Sequence, residues 1–271
     1  MHQISLAGTI ASALETGWRS VARPEQVAPE GDWALWLLLG GRGAGKSRAL
    51  NEWILEQVGA GCSRIALLAP TAADTRAVMV EGHSGILAIA PPWFRPEYNP
   101  SLRRLTWPNG AIATLFSGDE PERLRGYNGD CAAVDEICAF RRPEAWDMLM
   151  FGLRIGDRPR CAIATTPKPT RLLKQILARE GQDCVVSRST SYDNRANLAP
   201  SFFSKIIQRY EGSRLGRQEL NAELLEDVQG ALWSRCPEAF PSGKGYGILG
   251  VLCGDPWPWC PAPKGSRSSR R

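Results

Sequence analysis

The chain has 271 residues and a formal net charge of +5, from 33 Lys/Arg against 28 Asp/Glu. Residues 236–271 hold five basic and two acidic side chains, so +3 of the charge sits there, the rest is near neutral, and bulk charge gives no argument for a polyanionic partner. The eight cysteines form no C-x-x-C pair and the only histidines are His2 and His83, which speaks against a Cys/His zinc site and fits a reducing cytoplasm; no apolar run approaches 18 residues and the N-terminus lacks a basic leader, so neither a membrane span nor a signal peptide is expected.

Apolar spacing over residues 3–20 (Ile4, Leu6, Ile10, Leu14, Trp18) predicts a helix, and Arg23-Pro24-Glu25-Gln26 an extended, Pro-bounded segment. Gln26 reads either as an amide for an adenine edge, whose N6 and N7 it can bond together, or as a solvated loop residue. Trp33 to Leu39 is apolar without interruption, the signature of a strand buried on both faces. It runs into Gly40-Gly41-Arg42-Gly43-Ala44-Gly45-Lys46-Ser47, which fits G-x-x-x-x-G-K-[ST], and then into a helix spanning Arg48 to Val58. Glycines let successive N–H groups turn inward on phosphate oxygens, and the helix start adds its positive dipole end. Lys46 is placed to reach the β- and γ-phosphates of ATP, and Ser47 to offer a hydroxyl to Mg²⁺.

Arg64 to Pro70 reads as a second buried strand, with Thr71 as N-cap of a helix through Val80. Pro91 to Pro100 reads as irregular, and Leu102 to Ser117 as a hairpin turning at Pro108-Asn109-Gly110. Glu120 to Gly126 is a short helix or turn before the apolar strand Cys131 to Val134, which delivers Asp135 and Glu136 at its carboxyl end. After a phosphate loop, such a pair serves a metal shell (Asp135) and an attacking water (Glu136). Strand Cys161 to Ala164 ends in Thr165-Thr166, hydroxyls able to sense a γ-phosphate or simply an ordinary strand-to-turn pair. A helix (Thr170 to Glu180), a last strand (Asp183 to Thr190) and helices near 200–211 and 213–226 follow. The alternation predicts an α/β fold of the P-loop NTPase type, a mostly parallel sheet flanked by helices, with an ATPase domain at 1–198, a helical linker or lid at 199–235 and an irregular tail at 236–271. That tail holds six Pro and six Gly without periodicity and is expected to be disordered.

Taken together, WLLLGGRGAGKS, RIALLAPTAADTRAVMVEG, PPWFRP, RRLTWPNGAIATLFS, EPERLRG, the Asp135-Glu136 strand, ATTPKPTRLL and TSYDNRANLAP through GRQELNAELLEDVQGALWSR resemble the large terminase subunit of tailed phages, particularly relatives in prophages and gene transfer agents of alphaproteobacteria. The resemblance implies an ATPase that drives double-stranded DNA into a capsid, as a homo-oligomeric ring with portal protein and small terminase subunit as partners. It also implies that Lys46 and Ser47 hold phosphate and Mg²⁺, Asp135 supports the metal, Glu136 is the catalytic acid and Thr165-Thr166 couples hydrolysis to movement. Arg125, in Leu124-Arg125-Gly126, matches the arginine that completes a neighbouring subunit's site, with Arg42 as the competing candidate. The acidic strand departs slightly from the family, continuing as Ile137-Cys138-Ala139-Phe140. The resemblance stops at Arg235, where the family continues into a two-metal nuclease. The tail offers only Glu238 and Asp255, so a motor without a cutter is expected, with a sequence change from residue 236 that reads like translation out of frame. Two other readings of the same motifs are a superfamily-two helicase-like ATPase, disfavoured because no second motor domain fits, and a prophage remnant that binds ATP without packaging.

Overall fold

The strand leading into the phosphate loop, β1 (Leu35–Gly40), is buried at every position. Its alternating side chains feed two different cores. Trp36 and Leu38 join Leu50, Trp53 and Ile54 on one face, while Leu35, Leu37 and Leu39 join Val134, Ile163 and Leu173 on the other. Two covered faces explain why the run is apolar throughout rather than alternating. Trp33, expected within the strand, precedes it and packs into the first core, where its ring lies 6.0 Å from that of Trp53 and 6.4 Å from that of Trp36.

The computed structural model describes residues 17–225 together with positions 10 and 13. Most of the helix expected over 3–20, and everything from 226 onward, including the end of the expected lid and the whole tail, lie outside the described residues. The further strands are β2 (Arg64–Ala69), β3 (Glu97–Asn99), β4 (Arg104–Thr106), β5 (Ile112–Ser117), β6 (Cys131–Asp135), β7 (Arg160–Thr165) and β8 (Cys184–Ser189). They form one eight-stranded sheet in the order β3-β4-β5-β2-β6-β7-β1-β8. From β5 to β8 all neighbours are parallel, and β3 and β4 add an antiparallel edge. This is the mostly parallel α/β architecture of a P-loop NTPase-like fold. The expected hairpin is present, its turn closed by Gly110 N–H donating to Trp107 O and its Asn109 amide donating to Val58 O.

Several local expectations need correction. Arg23–Gln26 is not extended: Pro24–Gln26 is a 3₁₀ turn, started by a proline at its first position and closed by Arg23 N–H donating to Gln26 Oε1. Within 91–100, expected to be irregular, Glu97–Asn99 forms the edge strand β3. Thr71 does cap a helix, accepting from Asp74 N–H, but after Ala72–Asp74 the segment Thr75–Glu81 widens to π-helical pairing. The helix Glu144–Gly152, which buries Ala145, Trp146 and Leu149 beneath the second core, was not anticipated. Of the two closing helices, the first runs from Pro200 to Tyr210 with a π-helical middle and the second covers only Arg214–Glu219, while the helix after the glycine loop, α1, spans Lys46–Gly59. Among the described residues, no helix is long and apolar enough to cross a membrane.

Candidate functional site

Because β6, β7, β1 and β8 are adjacent and parallel, their carboxyl ends lie side by side along one edge of the sheet. From those ends emerge Asp135-Glu136, Thr165-Thr166, the glycine loop and the segment beginning at Thr190. Ligands of open α/β sheets collect at such an edge.

The glycine loop is held by its carbonyl oxygens. Lys46 Nζ folds back to donate to Gly40 O (2.9 Å) and Gly41 O (3.0 Å). Ser191 Oγ donates to Arg42 O (2.6 Å), Asn194 Nδ2 to Gly43 O (2.6 Å), Arg23 Nη2 to Ala44 O (2.6 Å) and Gln26 Nε2 to Gly45 O (3.1 Å). All six consecutive carbonyls from Gly40 to Gly45 are engaged, and the amides of Gly41, Arg42 and Ala44 donate to Ser189 O, Glu219 O and Gly41 O. Those of Gly43, Gly45, Lys46, Ser47 and Arg48 have no hydrogen-bond partner among the described residues. Gly43 and Gly45 sit at φ +74° and +83°, a backbone that a side chain strains, and Gly45 is the N-cap of α1. A cavity of about 600 Å³ adjoins this loop, with Trp18, Gln26, His83 and Asn194 among its walls. Unpaired amides at a helix start, beside a cavity of ligand size, form an anion cradle.

Lys46 is buried, and burial lowers its pKa from the ordinary lysine value against the pull of Glu136 and Asp135. Among the described residues its ammonium has only carbonyl and hydroxyl partners, the third being Thr166 Oγ1 at 3.3 Å. Asp135 is also buried, and burial, reinforced by the neighbouring Glu136 charge, pushes its carboxyl up to about 7. It accepts from Ser47 Oγ at 3.2 Å, so the two expected metal-binding groups are already together. Glu136 follows in a left-handed conformation (φ 49°, ψ 48°), its N–H donating to Ala164 O of β7. That turn folds its carboxylate onto the end of β7, where Thr166 N–H, Thr166 Oγ1 and Thr165 Oγ1 donate to it at 3.3–3.4 Å. Lys46, Ser47, Asp135, Glu136, Thr165 and Thr166 therefore form one connected polar cluster.

The other candidates stand further out. Gln26 faces the cavity, yet its amide is engaged by Gly45 O and Arg23 N–H. Arg42 is largely exposed, with Nε 3.6 Å from Glu219 Oε2. Arg125 is exposed as well and pairs with Glu122 one turn earlier on the 3₁₀ segment Pro121–Gly126, outside the polar cluster. Sequence reading missed Arg23, Ser191 and Asn194 altogether. Only the pairing of β8 with β1, which sets Ser189 opposite Gly40, reveals that the segment after β8 runs along the glycine loop.

No curated protein sequence matches this chain. Solved structures do. The large terminase ATPase domain of Thermus phage P74-26 superimposes with a TM-score of 0.57 at 18% identity, over 72% of this chain and 90% of that one. The large terminase of another thermophilic bacteriophage gives 0.61 at 15% identity over 79% of this chain and 53% of that one, and its complex with ATP-gamma-S gives 0.57 at 14% identity, over 78% and 51%. The chain thus spans about half the length of that second terminase, and at these identities the likeness concerns the fold. Sequence supplies the family: the model described as terminase large subunit, T4likevirus-type, N-terminal, matches residues 37–239, three quarters of the chain, and the chain belongs to that family.

Proposed function

We infer that this chain is an ATPase whose turnover moves double-stranded DNA into a capsid, working in a ring with portal protein and small terminase subunit. The observation that carries the nucleotide site is the glycine loop itself: six engaged carbonyls, five unpaired amides, and a buried ammonium with no carboxylate in ion-pair distance among the described residues. A polyphosphate is the ligand such an arrangement lacks. The second of the two phage terminases, which shares the fold, has been solved with ATP-gamma-S and with ADP. Family membership supports the packaging role.

Magnesium fits the pair Ser47 and Asp135, because a carboxyl held near neutral by burial regains its charge beside a cation. Bound there, Mg²⁺ would supply charge neutralisation to the phosphate oxygens. The protein's own contribution is then distributed. Lys46 exchanges its carbonyl partners for phosphate oxygens. Glu136, its carboxylate fixed by the end of β7, orients a water and accepts its proton. Arg125, on the surface and paired with Glu122 of its own 3₁₀ segment, is assigned to a neighbouring subunit's site, and the ring requires that neighbour.

Two variants test the assignment. Lys46→Ala should abolish ATP binding, since the phosphates lose their main side-chain cation. Glu136→Gln should bind ATP yet hydrolyse it orders of magnitude more slowly. Equal loss of binding in both variants would refute the division of roles, and wild-type protein that fails to hydrolyse ATP with or without DNA would refute the function.

A further inference from the structure

We propose that Asn194 is a positioning residue for the phosphate loop, holding its apex so that the amide of Gly45 faces the nucleotide. The proposal rests on the reading of this loop as an ATP site and adds a residue more than 140 positions away in sequence. Its origin is topological. β8 lies parallel to β1 with Ser189 opposite Gly40, so the chain leaving β8 must pass the glycine loop leaving β1. A local turn then aims the side chain: Asp193 Oδ2 accepts from Thr190 N–H at 2.7 Å and from Thr190 Oγ1 at 2.9 Å. Asn194 follows at once, almost fully buried.

The amide of Asn194 is read from its partners. Gly43 O can only accept, so the group 2.6 Å from it is Nδ2. Oδ1 then accepts from Arg23 Nη1 at 2.6 Å and from Asn197 Nδ2 at 2.8 Å. Arg23 in turn donates through Nη2 to Ala44 O, so one asparagine fixes two successive loop carbonyls, one directly and one by orienting the guanidinium. The peptide planes of Gly43-Ala44 and Ala44-Gly45 cannot rotate without breaking these bonds, and those planes carry the amides of Ala44 and Gly45. Glycines at φ +74° and +83° resist no such rotation themselves, because they lack the side chain that would restrict them. At Gly43 and Ala44 the order comes from outside the loop.

The test is binding of ATP-gamma-S and of ADP by calorimetry, alongside steady-state kinetics and thermal melting. Asn194→Ala removes the donor to Gly43 O and the acceptor for Arg23, and should weaken ATP-gamma-S binding about tenfold, with KM rising accordingly while kcat changes less. Asn194→Asp keeps the size and the acceptor for Arg23, yet sets an oxygen against Gly43 O, and should bind no better than Asn194→Ala. A purely structural role predicts the reverse order, since the carboxylate strengthens the contact with Arg23. Wild-type affinity in either variant, or an Asp variant that binds as wild type while only the Ala variant melts early, overturns the proposal. Failure of the wild-type protein to bind either nucleotide would instead remove the ATP-site reading on which it rests.

Discussion

Replacing Asp135 by asparagine should make the nucleotide- and metal-free protein more stable, by an amount that grows with pH. The carboxyl titrates near 3.8 in an ordinary setting and is pushed up to about 7 in the fold, first by burial and then by the charge of Glu136. Between those values the folded state holds a proton that the unfolded state has released, so stability falls as pH rises from about 4 to about 7 and is level above. The full gap corresponds to about 4 kcal/mol at pH 8, of which about 2.5 kcal/mol develops between pH 5 and pH 8. Asparagine is neutral throughout. Its oxygen can still accept from Glu136 N–H, and its amide can donate to the Ser47 hydroxyl, so the local contacts survive the exchange. At about 2–4 °C per kcal/mol for a domain of this size, the variant should melt roughly 8–16 °C above wild type at pH 8 in the presence of a chelator. The advantage should shrink clearly at pH 5. An Asn variant that melts at or below wild type at pH 8, or whose advantage is the same at both pH values, would show that Asp135 is not held in a strained charge state. The same variant should lose Mg²⁺-dependent turnover, a trade of activity for stability at one position.

Two further outcomes follow from the geometry. Subunits carrying Arg125→Ala keep their own site but cannot serve a neighbour, so mixing them with Lys46→Ala subunits under assembling conditions should restore part of the ATPase rate; a mixture as inactive as its components would place Arg125 in its own site or outside catalysis and favour Arg42. Gly41→Ala would bring a Cβ to 2.5 Å from Leu220 O and 2.8 Å from Glu219 O, backbone atoms that already accept from Ser191 N–H and Arg42 N–H, so a loss of about 1–3 kcal/mol in denaturant unfolding is expected, and an unchanged midpoint would refute the close approach.

Much of the fold was legible because its central strands are covered on both faces. Runs such as RIALLA in β2 and CAAV in β6 need no alternation to be recognised, and each ends at the site edge. The glycine loop, the acid pair and Thr165-Thr166 were visible for the same reason, since each directly follows such a run. Helix Glu144–Gly152 escaped notice because its short apolar stretch follows Arg141-Arg142-Pro143 and shows no long periodicity. The π-helical stretch Thr75–Glu81 changes hydrogen-bond pairing without changing residue type, so its sequence reads as ordinary helix. Ser191 and Asn194 were invisible for a different reason: polar residues in a turn acquire a role only through strand order, which pairing between the first and last strands decides.

The hydroxyl of Thr166 has one proton, and that gives the cluster a direction. It accepts from Lys46 Nζ and donates to Glu136 Oε1, so the chain of bonds runs from ammonium to hydroxyl to carboxylate and cannot run backwards. The strand it follows, β7, lies between β6, which delivers Glu136, and β1, which leads through the glycine loop to Lys46. Whatever draws the ammonium away leaves the oxygen of Thr166 short of a donor, and whatever protonates the carboxylate removes the need for its hydrogen. Both events leave their mark on one side chain, which stands between the groups that the two flanking strands deliver.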